Sequence, residues 1–395
     1  MNFKVQWSGR GLAYTPAEIQ TVVRVMKKAD PLTQGPFLSG FEKKFSEQHQ
    51  RIPCFGVTNC AHALELCAVL SRIGPGDEVI IPAHTYCASA IPFGRTGAKI
   101  VWADIDPKTW VVCAKSIHKL LTKKTKVIVA VHLYGLMADM VAIRSLAKKN
   151  NCLVVEDCAQ ALGASLKGQK AGTLGDFGCF SFHAQKNITT LGEGGALLVK
   201  SKKLNPLVPG LRHNGHAPFK VGRPHYWIPA MTNVDRDLPG IWPFNFSLGE
   251  VQAALANKLL DRVSAITSVR KKRALRFRAA LAEFPELVFQ KIPNGYESAW
   301  HLLPARYDGG PRQRTRDELI SLMAYKYKIK CIVQYCPLYR YSLFQKFGLS
   351  GHNCLNTDYF YDRMISFPFS PCMKEQDFRY VIRCLRESLF ILRKK

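Results

Sequence analysis

The sequence predicts an α/β protein built around a largely parallel sheet covered on both faces. Three observations lead there: short apolar runs rich in branched residues, helical spacing of apolar residues between those runs, and a length of 395 residues that allows a sizeable core. The runs are Val79 to Pro82, Ile100 to Ala103, Val127 to Val131, Leu153 to Val155, Phe177 to Phe182 and Ala196 to Val199. A strand buried on both faces reads as a continuous apolar run, and its return to the same edge of a parallel sheet needs a crossover, usually a helix. The crossovers are visible. Ala63, Leu66, Cys67 and Leu70 recur at helical spacing before the Gly74-Pro75-Gly76-Asp77 turn, and Ile143, Leu146 and Ala147 do so before Asn150-Asn151.

From about Asn205 to Gly240 the chain is rich in Pro, Gly, His and Arg and has little periodicity, as long functional loops of compact enzymes often do. A helical pattern resumes at Leu248 to Leu260 and is expected to continue through Arg270-Lys271-Lys272-Arg273. Beyond about 285 come strand-like stretches at Trp300 to Pro304 and Ile329 to Gln334, then a closing helix from Lys374 to Leu392. The organisation expected is a large domain over 1–250 that includes the N-terminal segment, and a smaller α+β domain over 251–395.

Composition narrows the class. The chain is 47% hydrophobic and 22% charged, which excludes a disordered or collagen-like chain, and no apolar stretch reaches the about 18 residues of a membrane span. Met1 is not followed by a charged and then an apolar segment, so a cytoplasmic location is expected. Thirteen cysteines without a C-x-x-C pair read as reduced thiols, and no metal site is expected. The 56 Lys and Arg against 29 Asp and Glu give +27, which invites nucleic-acid, membrane-surface or phosphorylated partners. The basic run at Arg270 to Arg278 reads as a solvated helix face, because no stacking aromatics interleave with it in a recognisable module.

Four elements carry chemistry. Asp157 follows the strand Leu153 to Val155, and ligands of parallel sheets bind at the carboxyl ends of strands. An Asp there also suits a helix N-cap. Lys186 lies just past the aromatic strand Phe177 to Phe182 and before Gly192-Glu193-Gly194-Gly195. Apolar walls lower an ammonium's pKa, as a Schiff-base nucleophile requires. The small-residue turn Thr58-Asn59-Cys60-Ala61 opens a helix, whose free N–H groups and positive dipole end suit a phosphate. Pro82-Ala83-His84-Thr85-Tyr86 ends another strand and offers Tyr86 as a stacking ring, or as packing beneath a loop.

In this order the four elements resemble the DegT/DnrJ/StrS sugar aminotransferases, pyridoxal-phosphate (PLP) enzymes of aspartate-aminotransferase fold type I. The likeness runs from Gly35-Pro36-Phe37 to Phe367-Pro368-Phe369 and is most specific at Gly74 to Ile80, at Glu156-Asp157-Cys158-Ala159-Gln160 and at Ser181 to Gly195. It implies a seven-stranded, mainly parallel sheet flanked by helices. It implies Lys186 as the residue that forms the internal aldimine with PLP, and Asp157 as partner of the pyridinium nitrogen. Two unit charges about 4 Å apart at an effective dielectric of 20 attract by roughly 4 kcal/mol before desolvation, enough to keep that nitrogen protonated. Gln160 is implied near the phenolic oxygen, Tyr86 over the ring, and Cys60, Ala61 and Ser181 at the phosphate. Asn245 of a partner subunit would complete the phosphate cup, making the active site shared within a homodimer.

The implied reaction moves an amino group from L-glutamate to a keto group of a nucleotide-diphosphate sugar by a ping-pong route. Amination of a cyclitol, or synthesis of 3-amino-5-hydroxybenzoate, is the alternative within the family. A nucleic-acid-binding regulator is the alternative outside it, but no DNA-binding module accompanies the charge. Cations near the acceptor are expected among His183, Arg212, His213, Lys220, Arg223 and His225. Asn59-Cys60-Ala61 departs from the family's usual Ser/Asn-Gly-Thr turn, and Phe246-Ser247 replaces its usual aromatic-Arg pair.

Overall fold

The computed structural model describes residues 2–7, 9–216, 240–351 and 353–394. Lys220, Arg223 and His225 therefore lie outside the described residues. The strands are β1 (Cys54–Val57), β2 (Glu78–Pro82), β3 (Lys99–Ala103), β4 (Thr125–Val131), β5 (Leu153–Asp157), β6 (Ser165–Leu166), β7 (Gln169–Lys170), β8 (Phe177–Ser181), β9 (Gly195–Val199), β10 (Leu287–Phe289), β11 (Tyr296–Glu297), β12 (Pro304–Tyr307) and β13 (Met364–Ser366). The helices that position them include α1 (Pro16–Lys28), α2 (Pro36–Gln48), α3 (Cys60–Leu70), α4 (Ile91–Arg95), α5 (Ala114–Leu120), α6 (Met140–Lys149), α7 (Val208–Leu211), α8 (Glu250–Leu260) and α9 (Val263–Ala279).

Seven strands form one sheet in the order β1-β9-β8-β5-β4-β2-β3. The pairs from β8 through β5, β4 and β2 to β3 are parallel, and β9 runs antiparallel to both β8 and β1. All six expected strands are present, so the α/β class with a mainly parallel sheet holds. The strand Cys54–Val57 was not anticipated. It is fully buried but only four residues long, too short for periodicity to mark it.

Helices bury the sheet. Phe41 and Phe45 of α2 meet Phe182 and Phe180 at ring-centroid distances of 5.8 and 4.9 Å. Asn59 caps α3 by accepting from the His62 amide at 2.9 Å, and Asp139 caps α6 through Ala142. The helix expected from Leu248 through Arg273 is two helices: α8 starts at Glu250 after the Gly249 cap, and the chain breaks at Asp261-Arg262 before α9.

A second apolar core lies around Phe277, Phe284, Leu303, Ile365 and Phe378, and Val5 near the N-terminus belongs to it. Leu255, Leu259 and Ile266 belong to the first core, so the two cores divide within α9. Over this second core β10, β12 and β13 form an antiparallel sheet. Trp300 to Pro304 is not a strand. Trp300 has φ of 48°, the Ala299 amide turns to the Gly135 carbonyl, and pairing begins only at Pro304. Ile329 to Gln334 makes only single bridges, to Val5 and to Ser366. The closing helix spans Glu375–Lys394.

Candidate active site

The carboxyl ends of β5 and β8 and the start of α3 meet at one place. Asp157 is the last residue of β5 and is buried. Its Oδ2 accepts from the Ser89 hydroxyl at 2.7 Å and its Oδ1 from the Ala159 amide at 3.0 Å, while Thr85 Oγ1 lies 2.9 Å from Ser89 Oγ. The carboxylate is therefore held from two sides. Ser89 carries no signal in the sequence, because it sits in a three-residue 3-10 turn after Tyr86.

Glu156 anchors the same strand end from the other face. It is fully buried and accepts from His132 Nε2 at 2.8 Å and from the amides of Gly172, Leu174 and Gly175. Burial pushes its carboxyl up, but the His132 hydrogen bond and charge and the backbone donors outweigh burial and bring it below the ordinary glutamate range. His132, Glu156 and Cys158 also lie together in a metal-like grouping. With both Glu156 oxygens occupied by donors, the grouping is a structural clamp on the β5 turn.

Lys186 lies in the connection between β8 and β9. The flanking hairpin is tied by Phe182 N to Gly194 O at 2.7 Å and Ala184 N to Gly192 O at 2.9 Å, and Lys186 N donates to His183 O. Gly11 packs against it so closely that a Cβ there would stand 1.7 Å from the Lys186 carbonyl oxygen. The side chain is half-buried. Burial lowers the ammonium's pKa, opposed by the charges of Asp157, Cys60 and Glu193, so these groups share one electrostatic environment.

The first helical residues of α3 are Cys60 and Ala61. First-turn amides have no intrahelical acceptor, and Asn59 takes only that of His62, so the amides of Cys60 and Ala61 face outward. Gly195 pairs with Ser181 on one side and Val57 on the other, and a Cβ on it would lie 2.6 Å from the Asn59 carbonyl carbon. Only glycine lets β9 bring Ser181 and the α3 turn together. Ser181 Oγ accepts from the His183 amide at 3.3 Å.

Gln160 is locked at both ends. Its Oε1 accepts from the Tyr134 amide at 2.8 Å and its Nε2 donates to the Tyr335 hydroxyl at 2.9 Å. Tyr134 in turn donates to the Gln334 carbonyl and meets His84 Nε2 at 2.7 Å. Burial lowers His84 to about 3, so it is neutral at ordinary pH. Tyr86 is 58% exposed, with its ring centroid 5.9 Å from that of Tyr335, and it presents a face to a flat ligand. His301 and Asn187 were not anticipated, and Arg270 is a correction: expected on a solvated helix face, it is 1% exposed and donates to the carbonyls of Gly11, Trp300 and His301. His301 Nδ1 lies 3.2 Å from Asn187 Oδ1, and burial and then the charges of Lys186 and Arg270 hold its pKa far below the usual value. A cavity of about 40 Å³ beside Lys186 is lined by Arg10, Gln185, Arg270, His301 and Gln334.

The expected acceptor contacts divide. His183 is half-exposed, with Nε2 3.9 Å from Glu193. His213 forms a backbone bridge with Asn245, which is exposed. Arg212 is a correction: it is 4% exposed, pairs with Glu42 and donates to the Gly56 carbonyl at 2.7 Å, so it is a core tie between α2, β1 and the segment after α7. Its neighbours in sequence are polar or irregular, which made it look like a loop cation. All thirteen cysteines are free thiols.

These residues fit PLP: an amine of lowered pKa, a fixed carboxylate, a helix start for the phosphate and an exposed aromatic face. The family model of the DegT/DnrJ/EryC1/StrS aminotransferases matches residues 14–386. The chain is 31% identical over 371 residues to the spore coat polysaccharide biosynthesis protein SpsC of Bacillus subtilis, covering 94% of each. It is 38% identical over 238 residues to GDP-perosamine synthase of Caulobacter vibrioides, covering 60% of each. The fold overlays on the PMP form of Spr1654 of Streptococcus pneumoniae with a TM-score of 0.85 at 26% identity, covering 97% of this chain and 99% of the other. By its residues, its fold and these relatives, the chain belongs to the DegT/DnrJ/EryC1/StrS family of PLP-dependent aminotransferases.

Proposed function

We propose that the enzyme transfers an amino group from L-glutamate to a keto group of a nucleotide-linked sugar, in two half-reactions at one site. The observation that carries this reading is the meeting of Lys186, Asp157 and the α3 start at the carboxyl end of the sheet. The sugar acceptor is supported by relatives named for GDP-perosamine, for UDP-N-acetyl-3-dehydro-glucosamine and for spore coat polysaccharide.

When bound, PLP supplies an electron sink and a carrier for the amino group. Asp157, fixed by Ser89 and Ala159, would hold a proton on the ring nitrogen. The backbone amides of Cys60 and Ala61 and the Ser181 hydroxyl would bind the phosphate, and Tyr86 would cover the ring. Gln160 Nε2, with one hydrogen given to Tyr335, would donate its other to the phenolic oxygen. Lys186 Nζ, whose pKa burial lowers, would take the proton from the donor's Cα and return a proton at the acceptor carbon. Asn245 is exposed beside Phe246, which stacks on His62 of the α3 first turn at 3.8 Å, a place from which it could reach the phosphate cup of a partner subunit.

The test is incubation with PLP, L-glutamate and a panel of nucleotide-linked 3-keto and 4-keto sugars, followed by mass detection of amino products. An amino product from at least one such sugar, absent in Lys186→Ala, is expected. A product from a free cyclitol alone would replace this reading.

A further inference from the structure

We propose that the edge of the seven-stranded sheet opposite Lys186 is a membrane-surface site that seats the enzyme on an anionic lipid bilayer through its phosphate headgroups. The parallel strands put Asp157 and Ser181 at their carboxyl ends, so the amino ends of β2, β3, β4, β5 and β8 make the opposite edge. Three backbone hydrogen bonds stitch that edge: Lys99 N to Asp77 O at 2.9 Å, Glu78 N to Lys124 O at 2.9 Å and Lys200 N to Asp176 O at 3.1 Å. Each brings a lysine to the rim.

The neighbours of these lysines repeat the charge. Lys123 and Lys126 flank Lys124 at the start of β4, Lys202 and Lys203 follow β9, and Lys148 and Lys149 end α6 ahead of β5; all are exposed. Burial and then the charge of Arg144 lower the pKa of Lys200, which joins the α6 cations and those after β9 into one cluster. From β9 to β3, six strands at about 4.8 Å spacing make the row about 24 Å long.

The carboxylates of this edge, Asp77, Glu78 and Asp176, are three against the nine lysines named. Asp77 is turned to the Gly74 amide and Asp176 to the Val154 amide, at 3.1 and 2.8 Å. Glu78 is buried and accepts from the Thr122 hydroxyl at 2.6 Å. Of the rim lysines named, only Lys99 has an ion-pair partner among the described residues, Glu78 at 3.7 Å.

The chemistry favours a lipid surface over nucleic acid. Lysine is a point charge on a flexible stem, suited to many headgroups that need no fixed geometry. Base-reading and strand-binding surfaces add bidentate arginines and stacking aromatics, and the exposed residues named along this rim are lysines. A membrane seat also leaves the catalytic end of the sheet facing away from the lipid, open to dissolved substrates. This inference does not depend on which acceptor is aminated.

The experiment is sedimentation of the full chain, loaded with PLP, with vesicles of phosphatidylcholine and phosphatidylserine at about two to one, and with phosphatidylcholine alone. Binding to the mixed vesicles only, reversed by salt, is expected. Each neutralised lysine near such a surface weakens partitioning about fivefold, so Lys123→Gln, Lys124→Gln and Lys126→Gln together lower it on the order of a hundredfold. Lys148→Gln, Lys149→Gln, Lys202→Gln and Lys203→Gln, at the other end of the row, act as a second variant should the first fold poorly. Neutralising Lys27, Lys28 and Lys43 on α1 and α2 leaves binding unchanged. The proposal is overturned if mixed vesicles do not bind at low salt, if both rim variants bind like the wild type, or if duplex DNA binds more tightly than the vesicles and competes them off.

Discussion

Gly195→Ala tests whether the approach of β9 to the α3 turn builds the phosphate cup. The added Cβ would lie 2.6 Å from the Asn59 carbonyl carbon, 2.8 Å from its oxygen and 2.9 Å from the Cys60 nitrogen, all backbone atoms. Carbon atoms rest at about 3.5 Å, so the strand and turn must separate by about 0.9 Å. A hydrogen bond of about 2.9 Å from the Cys60 or Ala61 amide, stretched by even half of that, leaves the useful range. Losing one bond to a charged phosphate costs about 2 kcal/mol, or roughly thirtyfold in PLP affinity. The overpacked strand itself costs about 1–3 kcal/mol. PLP titration of the apoprotein, with thermal melting alongside, measures both. The control is Gly74→Ala, where the nearest atom to a new Cβ is 3.9 Å away. If Gly195→Ala melts lower but binds PLP within about threefold of wild type, the cup is not built as described.

Other outcomes follow from the same geometry. Arg212→Met leaves the partly buried Glu42 without its cation and is expected to cost about 3 kcal/mol in chemical denaturation, part of it recovered by adding Glu42→Gln; an unchanged stability with a raised acceptor KM would restore Arg212 to the substrate site. Glu156 has a folded pKa below its unfolded value near 4.3, so its contribution is complete above that pH and is lost as pH falls through the folded value. The stability gap between wild type and Glu156→Gln should therefore be full at pH 7 and shrink below about pH 4; a gap independent of pH would show that the charge is not what matters. If the sites are shared, mixing Lys186→Ala with Asn245→Ala subunits creates one intact site in each hybrid dimer. Activity should rise to about a quarter of wild type on subunit exchange, and no gain on mixing would place each site within one chain.

Much of the sheet was legible because parallel strands buried on both faces have no choice but to be apolar along their length. Leu153 to Val155 and Phe177 to Phe182 announce themselves in that way, and the residues just past them include Asp157 and Lys186. Short or irregular elements do not. β1 is four residues long, and Trp300 bends away from pairing in a left-handed conformation that its apolar neighbours hide. Ser89, His301 and Arg270 reach the site from a 3-10 turn, a loop and a helix, each with ordinary local sequence.

The sequence by itself determined the class of fold and pointed to Asp157 and Lys186, since burial patterns and residues just past strand ends are local properties. Tertiary structure decided what surrounds them: that Ser89 holds Asp157, that Gly195 presses the α3 turn against Ser181, and that Arg212 is a buried tie to Glu42 instead of a loop cation. Among the described residues it also divided the basic side chains into buried ties, paired helix faces and a lysine-rich edge. Those outcomes depend on contacts between residues far apart in the chain, which periodicity and spacing do not encode.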